Sequence, residues 1–522
     1  MDVTAKEIIG TAPARFRAEK SDGINTVFHF DISGQDGGLF TMVIENGTCT
    51  LLEGLQGEAK CVITTTDSHY RDLETGKLNP QLALMMGKVK VSSLTEMMAF
   101  SKLFRKFDVQ YLSGHADVSD GIIEVIRPEL DGPLKGVRIL DFSRLLPGPL
   151  ATMLLADMGA DVIKIEDPDN PDYIRDFEPM MEGTSAFYYA LNRSKKSLAV
   201  NYLEQDGKRI IYELVKSADV VVEQYRPGVM KALGLDYETL IQYNPKLIYA
   251  SITGYGQTSS MAQVAGHDLN YIALAGLLGI NGADADAVVI PGFQLADIAG
   301  GAYMAMNAIL AALFQRERRG VGDHLDIAMA DAVVPLTALP FAEYQATGKV
   351  TERGAFQLSG GLANYNVFRC ADGKFIALGS LEPKFWNQIC AALNKPEWAN
   401  VILEGESAHA AVKLELKSMF QEQTRDYWVT FFKGKEVCVS AVNELDELAS
   451  NTYLQEKNAF TKQHINGKEF FTVNMPIAFQ SGKQNTSWIA PKLGEDTIAI
   501  LRNMNISESE IQRLRSLNIV RL

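Results

Sequence analysis

The feature that most restricts what this chain can fold into is a regular exchange of short apolar runs for longer amphipathic ones from Leu134 onward. Val- and Ile-rich runs predict strands at 137–142, 162–166, 197–201, 220–223 and 247–253. Helical spacing between them predicts helices at 149–158, 205–217 and 237–242. Strands joined by helical crossovers lie parallel, so the expected class is α/β, a doubly wound sheet with its ligand site at the carboxyl ends of the strands. The first loop, Arg144-Leu145-Leu146-Pro147-Gly148-Pro149, carries no GxGxxG, so no dinucleotide cofactor is indicated.

At 522 residues the chain exceeds one ordinary core, and the pattern changes at both ends of the alternating region. Residues 1–108 read as a small α+β domain: an amphipathic opening, alternating strands near 27–32, 40–44 and 60–64, and a last helix carrying Met97, Phe100, Phe104 and Phe107 on one face. Met85, Met86, Met97 and Met98 suggest an adaptable apolar wall. A linker is expected over 109–133, the large domain over 134–346 and a smaller second domain over 347–476. A strand is expected at 324–329 and one helix over 331–346.

The charge balance narrows the function classes. A formal net charge of −14 disfavours nucleic-acid or anionic-membrane partners. Charged residues break every apolar run before it reaches membrane-spanning length, and the N-terminus has no basic head and apolar core, so neither a membrane span nor a signal peptide is expected. Five scattered cysteines without a CxxC point to reduced thiols in a cytoplasmic setting and offer no metal site.

Two ionisable residues stand at the mouths of expected helices. His267 opens Gly266-His267-Asp268-Leu269-Asn270-Tyr271, and Asp297 opens Asp297-Ile298-Ala299-Gly300-Gly301. A helix start is rich in unpaired N–H donors, where developing negative charge is stabilised. Singly, Asp297 also suits an N-terminal cap and His267 a satisfied core histidine.

These two segments, with Leu146-Pro147-Gly148-Pro149, Ala156-Asp157-Met158-Gly159-Ala160-Asp161 and Tyr225-Arg226-Pro227-Gly228, resemble the alpha-methylacyl-CoA racemases of the family III CoA-transferase superfamily from about Leu134 to the C-terminus. The resemblance implies epimerisation of 2-methyl-branched acyl-CoA thioesters, with His267 and Asp297 as the two bases and CoA carried as part of the substrate rather than as a cofactor. It matches Glu382 to a residue that hydrogen-bonds the catalytic histidine and Tyr365 to an active-site tyrosine. It also implies a homodimer of threaded subunits, and a segment 477–522 returning to the large domain. An enolate oxygen would be held by the backbone N–H of Asp297 or its neighbours.

The same superfamily includes transferases in which the residue matching Asp297 is a nucleophile. His267 and the short glycine run Ser359-Gly360-Gly361-Leu362 tilt the choice toward the racemase. Where many relatives place arginines near the CoA phosphates this chain has Asp167 and Ala232, leaving Arg193, Lys195, Lys196, Tyr225, Arg226 and Lys231 as CoA-binding candidates. The missing arginines also suit a carrier that has lost catalysis.

Thr64 to Asp67, Gly76-Lys77-Leu78-Asn79-Pro80 and Gly87-Lys88-Val89-Lys90-Val91 resemble the sterol carrier protein two domain, which implies a lipid or acyl chain held between a five-stranded sheet and helices in residues 1–108.

Overall fold

A computed structural model describes residues 3–17, 21, 24–78, 80–101, 103–105, 107, 127, 131–283, 286–465, 468–479 and 488–522. Its contacts divide the chain into two compact units, 1–126 with 169–188, and 127–168 with 189–522. Most of the expected linker, 109–126 and 128–130, lies outside the described residues.

The first unit is built on a five-stranded sheet in the order β3-β2-β1-β4-β5. Its strands are β1 (Thr26–Ser33), β2 (Gly38–Glu45), β3 (Thr48–Glu53), β4 (Cys61–Thr66) and β5 (Val89–Val91). Strand β1 pairs parallel with β4 and antiparallel with β2. Alternation turns Thr26, Phe28, Phe30 and Ile32 of β1 to one buried face. Phe100, from the helix Leu94–Ser101, packs on Phe28 with ring centroids 4.3 Å apart. That helix stops before Phe104, unlike the longer one expected. Arg17 donates to the Leu103 carbonyl and Arg105 to that of Arg15, so the chain leaves the helix to pair with residues 15–17. Of the expected methionine wall, Met97 packs against this core, whereas Met85 is 84% exposed and Met86 58%; the Met98 side chain lies outside the described residues.

The second unit holds a seven-stranded sheet. Its strands in chain order are β6 (Arg138–Asp141), β7 (Asp161–Glu166), β8 (Lys196–Val200), β9 (Val220–Glu223), β10 (Ile248–Thr253) and β11 (Asp323–Ala328). A last edge strand, Val520–Arg521, pairs antiparallel with β8, so the chain's end returns to this sheet. Across the sheet the six longer strands run β11-β10-β9-β6-β7-β8, all parallel. Every residue of β10 is buried because helices cover both faces, which is why the central strands read as continuous apolar runs. The expected helix at 331–346 is instead Met329–Val333, a tight turn Val334–Thr337 and Ala338–Thr347. Pro335 lacks the N–H that an uninterrupted helix needs.

A three-stranded antiparallel sheet, Tyr365–Arg369, Phe375–Gly379 and Val439–Ala441, closes over a separate core around Trp386, Phe420 and Trp428. The helical run Ala296–Arg319 is 24 residues long and apolar enough to cross a membrane by length and composition, contrary to the expectation that none would be. Ala302, Ala305, Met306, Ile309 and Leu313 are buried in the large core, and Arg316, Arg318 and Arg319 form its last turn before Gly320. It is the sheet's packing helix.

Candidate active site

Strand order reverses between β6 and β9, and the loops that follow those two strands meet there. Gly148 N–H donates to Gln224 Oε1 at 2.9 Å, joining the first loop to the turn after β9. In that turn the Tyr225 hydroxyl meets that of Tyr202 at 3.1 Å, and the Arg144 guanidinium lies 5.2 Å from the Tyr225 ring centroid. Open α/β sheets bind ligands in such crevices. Arg226 and Lys231 are exposed beside it, as is Ala232, while Asp167 is buried at the end of β7. Arg144 was not singled out from the sequence; its place in the first strand-to-helix loop was the available signal.

The remaining basic candidates are corrected. Lys195 is fully buried, its Nζ donating to Asp141 Oδ2 at 2.9 Å, Asn192 Oδ1 at 2.8 Å and the Pro149 carbonyl at 2.9 Å. Burial alone would raise the Asp141 carboxyl, but Lys195 and Lys164 outweigh it and hold it down at about 2. Arg193, 1% exposed, pairs with Asp157. Lys196 pairs with Asp161 at 2.6 Å, at the amino-terminal end of β7 and away from the crevice. Arg193 and Lys195 are spent inside the fold, each on a carboxylate that burial would otherwise leave uncompensated, and Lys196 is held by a partly exposed pair.

Asp297 and His267 belong to two segments that the fold ties together. The helix Asp268–Leu274 begins directly after His267, which is exposed. Tyr271 anchors this start by donating its hydroxyl to the Gly266 carbonyl at 2.6 Å, and His267 N–H donates to Asn270 Oδ1 at 3.1 Å. The neighbouring Asp268 reaches across: its Oδ1 accepts from the N–H groups of Ala296 at 2.6 Å and Asp297 at 3.1 Å. Those two N–H groups are therefore occupied, and the expected use of the Asp297 N–H for an enolate oxygen is corrected. Asp268 capping this helix start was missed from the sequence, although an acidic residue directly after the histidine was there to be seen.

The Asp297 helix is wound as a π-helix over Ala296–Tyr303 before continuing as an α-helix over Met304–Arg319. Such wider turns are frequent at functional sites. Gly300 and Gly301 bring it against other backbone: a Cβ on Gly300 would lie 2.7 Å from the Met329 carbonyl oxygen, and one on Gly301 2.6 Å from Pro147 Cβ. Burial pushes the Asp297 carboxyl up from an ordinary 3.8 to about 7, with the Asp268 carboxylate adding to the rise. The Tyr271 phenol is held up to about 12, first by burial and then by Asp297. A second raised carboxyl stands behind the crevice: burial pushes Glu223 to about 7, although it accepts the Tyr225 N–H at 2.7 Å.

Tyr365 and Glu382 lie at one end of the small sheet. Tyr365 pairs with Gly379 across the hairpin, and Glu382 precedes the helix Pro383–Ala392; both side chains are exposed. Among the described residues neither is hydrogen-bonded to His267 or Asp297 within the one chain. No group of His, Cys, Asp or Glu suited to a metal ion occurs among the described residues.

The fold defines a doubly wound α/β protein, with a separate α+β unit, in which His267 and Asp297 stand at two helix starts that Asp268 joins. The chain belongs to CoA-transferase family III, whose pattern spans residues 134–497, and carries an SCP-2 sterol transfer family region over 9–105. It is 32% identical to the alpha-methylacyl-CoA racemase of Homo sapiens over 74% of this chain and 97% of that one. It is 33% identical to the succinyl-CoA:glutarate CoA-transferase of Mus musculus over 74% and 91%. A CAIB/BAIF family protein from Brucella suis superposes with a TM-score of 0.62 at 29% identity, over 72% of this chain and 99% of that structure.

Proposed function

We propose that this protein epimerises 2-methyl-branched acyl-CoA thioesters by removing the α-proton on one face and returning one on the other. The observation that supports this most is the Asp297 carboxyl, raised to about 7. A nucleophilic carboxylate must be ionised, whereas a proton carrier works best when its acid and base forms are both populated near neutral pH. His267 is the second carrier, since histidine is the side chain that most often serves as a general acid or base. One donates while the other accepts, and they exchange roles with the substrate's hand. The first-turn N–H of Asp268 is the donor assigned to the enolate oxygen, because it opens a helix and makes no hydrogen bond among the described residues.

Identity does not separate racemase from transferase, but the loop at 357–361 favours the racemase. The Gly360 carbonyl accepts from Asn366 Nδ2 at 2.8 Å and Lys413 Nζ at 3.1 Å, which restrains the segment that would move as a transferase lid. CoA phosphates are assigned to Arg144, Arg226 and Lys231 at the crevice, with Tyr225 beside them. A homodimer belongs to this reading: a second copy would bring an exposed Glu382 and Tyr365 to His267 and cover Val289, Ile290, Phe293 and Phe341, which one chain leaves exposed.

The test is exchange of the α-proton of a 2-methylacyl-CoA with deuterated solvent, followed with a free carboxylic acid also present. Exchange in the parent that is lost in His267→Ala and in Asp297→Ala is expected. CoA transfer to the acid without α-exchange would overturn the assignment in favour of the transferase, and bound ligand with neither reaction would favour a carrier.

A further inference from the structure

Glu223 is a buried carboxyl that the proposed reaction does not use. It ends β9 at the crevice, 3% exposed, and accepts the Tyr225 N–H at 2.7 Å, a bond that closes the turn carrying Tyr225 and Arg226. In the parallel register Glu223 stands beside Ser251 of β10, which is 1% exposed and whose hydroxyl hydrogen-bonds the carboxyl. The same hydroxyl lies 3.0 Å from Nε2 of His324 on β11, the edge strand. There the imidazole is half-buried and stacks on the Tyr237 ring with centroids 5.1 Å apart. Three polar side chains on adjacent strands thus form one line from the crevice to the sheet's edge, through a core that includes Val221, Tyr249 and Leu240. The other titratable groups around it are Arg144 beyond the Tyr225 ring, Tyr249 and Asp326 on the neighbouring strands, and Lys231, Asp236 and Glu238 in the segment 229–240 over this core. Of these, Asp326 adds to the effect of burial, and no lysine or arginine is ion-paired with Glu223 among the described residues.

We infer that Glu223, Ser251 and His324 form a proton wire, by which the buried carboxyl that holds the Tyr225 turn exchanges its proton with solvent at the sheet's edge. This rests on the assignment of CoA to that turn, and it makes Glu223 a positioning residue there. Ser251 has one hydroxyl proton and cannot donate to both neighbours. While Glu223 is protonated, its O–H donates to Ser251 Oγ and the serine proton points to His324 Nε2. When the carboxyl ionises, Oγ takes its proton as the serine's own proton passes to Nε2: two O–H bonds break, and one O–H and one N–H form. The imidazolium then gives its other ring proton to water, which leaves Nε2–H donating to Ser251 and Ser251 donating to the carboxylate. No heavy atom has to move. The ionised carboxyl makes a charge-assisted bond to the Tyr225 N–H, roughly twice as strong as a neutral one, so the turn is held more firmly once Glu223 has lost its proton.

Nitrogen-15 NMR of the histidine rings in the full chain tests the wire, with the His324 signal identified by its loss in His324→Phe, whose ring can still stack on Tyr237. At pH 8.5 the His324 Nε2 is expected to carry hydrogen in the parent. In Glu223→Gln the amide oxygen keeps the Tyr225 N–H and the amide N–H donates to Ser251, so Nε2 should be bare at the same pH. The infrared carbonyl band of protonated Glu223, absent in Glu223→Gln, should titrate at about 7 in the parent and at higher pH in Ser251→Ala, which loses a hydrogen bond that favours the charged form. For the turn, the dissociation constant of coenzyme A itself is followed from pH 5.5 to 8.5, because its binding needs no proton transfer at Asp297. Over that range the parent should gain affinity about threefold to tenfold relative to Glu223→Gln, a ratio in which the ionisation of the CoA phosphates cancels. A bare Nε2 in the parent at pH 8.5, or a carboxyl band unmoved in Ser251→Ala, would overturn the wire. Equal pH dependence of CoA binding in the parent and Glu223→Gln would overturn the positioning role. CoA binding that Arg226→Ala leaves unchanged would instead remove the CoA assignment at this turn, a separate failure because the ring nitrogen and the carboxyl band are read without ligand.

Discussion

Replacing Asp297 by Asn removes the carboxyl that burial and Asp268 hold at about 7 and leaves a side chain of the same shape. The folded protein keeps the Asp297 proton up to pH 7, whereas the unfolded chain releases it near 3.8. Between those values the native state binds more protons than the unfolded state, so stability falls as pH rises, and above about 7 the full loss is in place. At about 1.4 kcal/mol per pH unit the loss is at most about 4 kcal/mol, reduced by whatever solvent reaches this partly buried group. Asp297→Asn is therefore expected to match the parent near pH 3.5 and to exceed it progressively, by up to about 4 kcal/mol above pH 8. Urea melts across that range measure it. Glu223 also titrates at about 7, so the difference between variant and parent isolates Asp297 where the parent's curve does not. A variant no more stable than the parent at pH 8.5 would refute the claim that this carboxyl is held protonated near neutrality, and with it the acid half of the proposed chemistry.

Asp268→Asn keeps an oxygen for the N–H groups of Ala296 and Asp297 but removes the charge, so the alkaline limb of α-proton exchange should move to lower pH; because burial is the larger cause, it should move only part of the way. Lys195→Met removes one of the two lysines that offset the buried Asp141 carboxylate and should cost up to about 3 kcal/mol in a denaturant melt. Lys196→Ala, paired at the far end of the sheet, should leave the KM for acyl-CoA unchanged; a raised KM would return that lysine to the phosphate site. Gly300→Ala drives a methyl into the Met329 carbonyl and should destabilise by about 1 to 3 kcal/mol while slowing exchange, since the helix that carries Asp297 has to shift.

The architecture was legible because parallel strands buried on both faces leave an unmistakable run of Val, Ile and Ala, as in β9 and β10. The helix starts at Asp268 and Ala296 could be read from the chain because helical periodicity begins there. What could not be read was the use of charge. Lys195 stands beside Lys196 in the sequence and looks like half of a basic patch, but at this strand start one side chain turns inward to Asp141 and the other reaches Asp161 at the first residue of β7. Arg144 gains its meaning only from Tyr225, eighty-one residues later, when β6 and β9 come side by side. The hydrogen bonds from Ala296 and Asp297 to Asp268 are likewise long-range, and no local pattern encodes them.

That last contact gives the site its economy. By accepting two first-turn N–H groups, Asp268 takes up donors that would otherwise lower the Asp297 pKa by favouring its charged form. By placing its own negative charge nearby it adds to what burial already does. The same residue opens the helix after His267, so its backbone N–H stays available beside the imidazole that the proposed reaction pairs with Asp297. A single carboxylate thus works in two directions: toward Asp297 it favours a proton, and toward His267 its main chain offers an unpaired donor. For a transferase the first effect is counterproductive, since a protonated nucleophile does not attack. For 1,1-proton transfer both effects act in the same sense, one preparing the acid and the other receiving the enolate charge that the proton leaves behind.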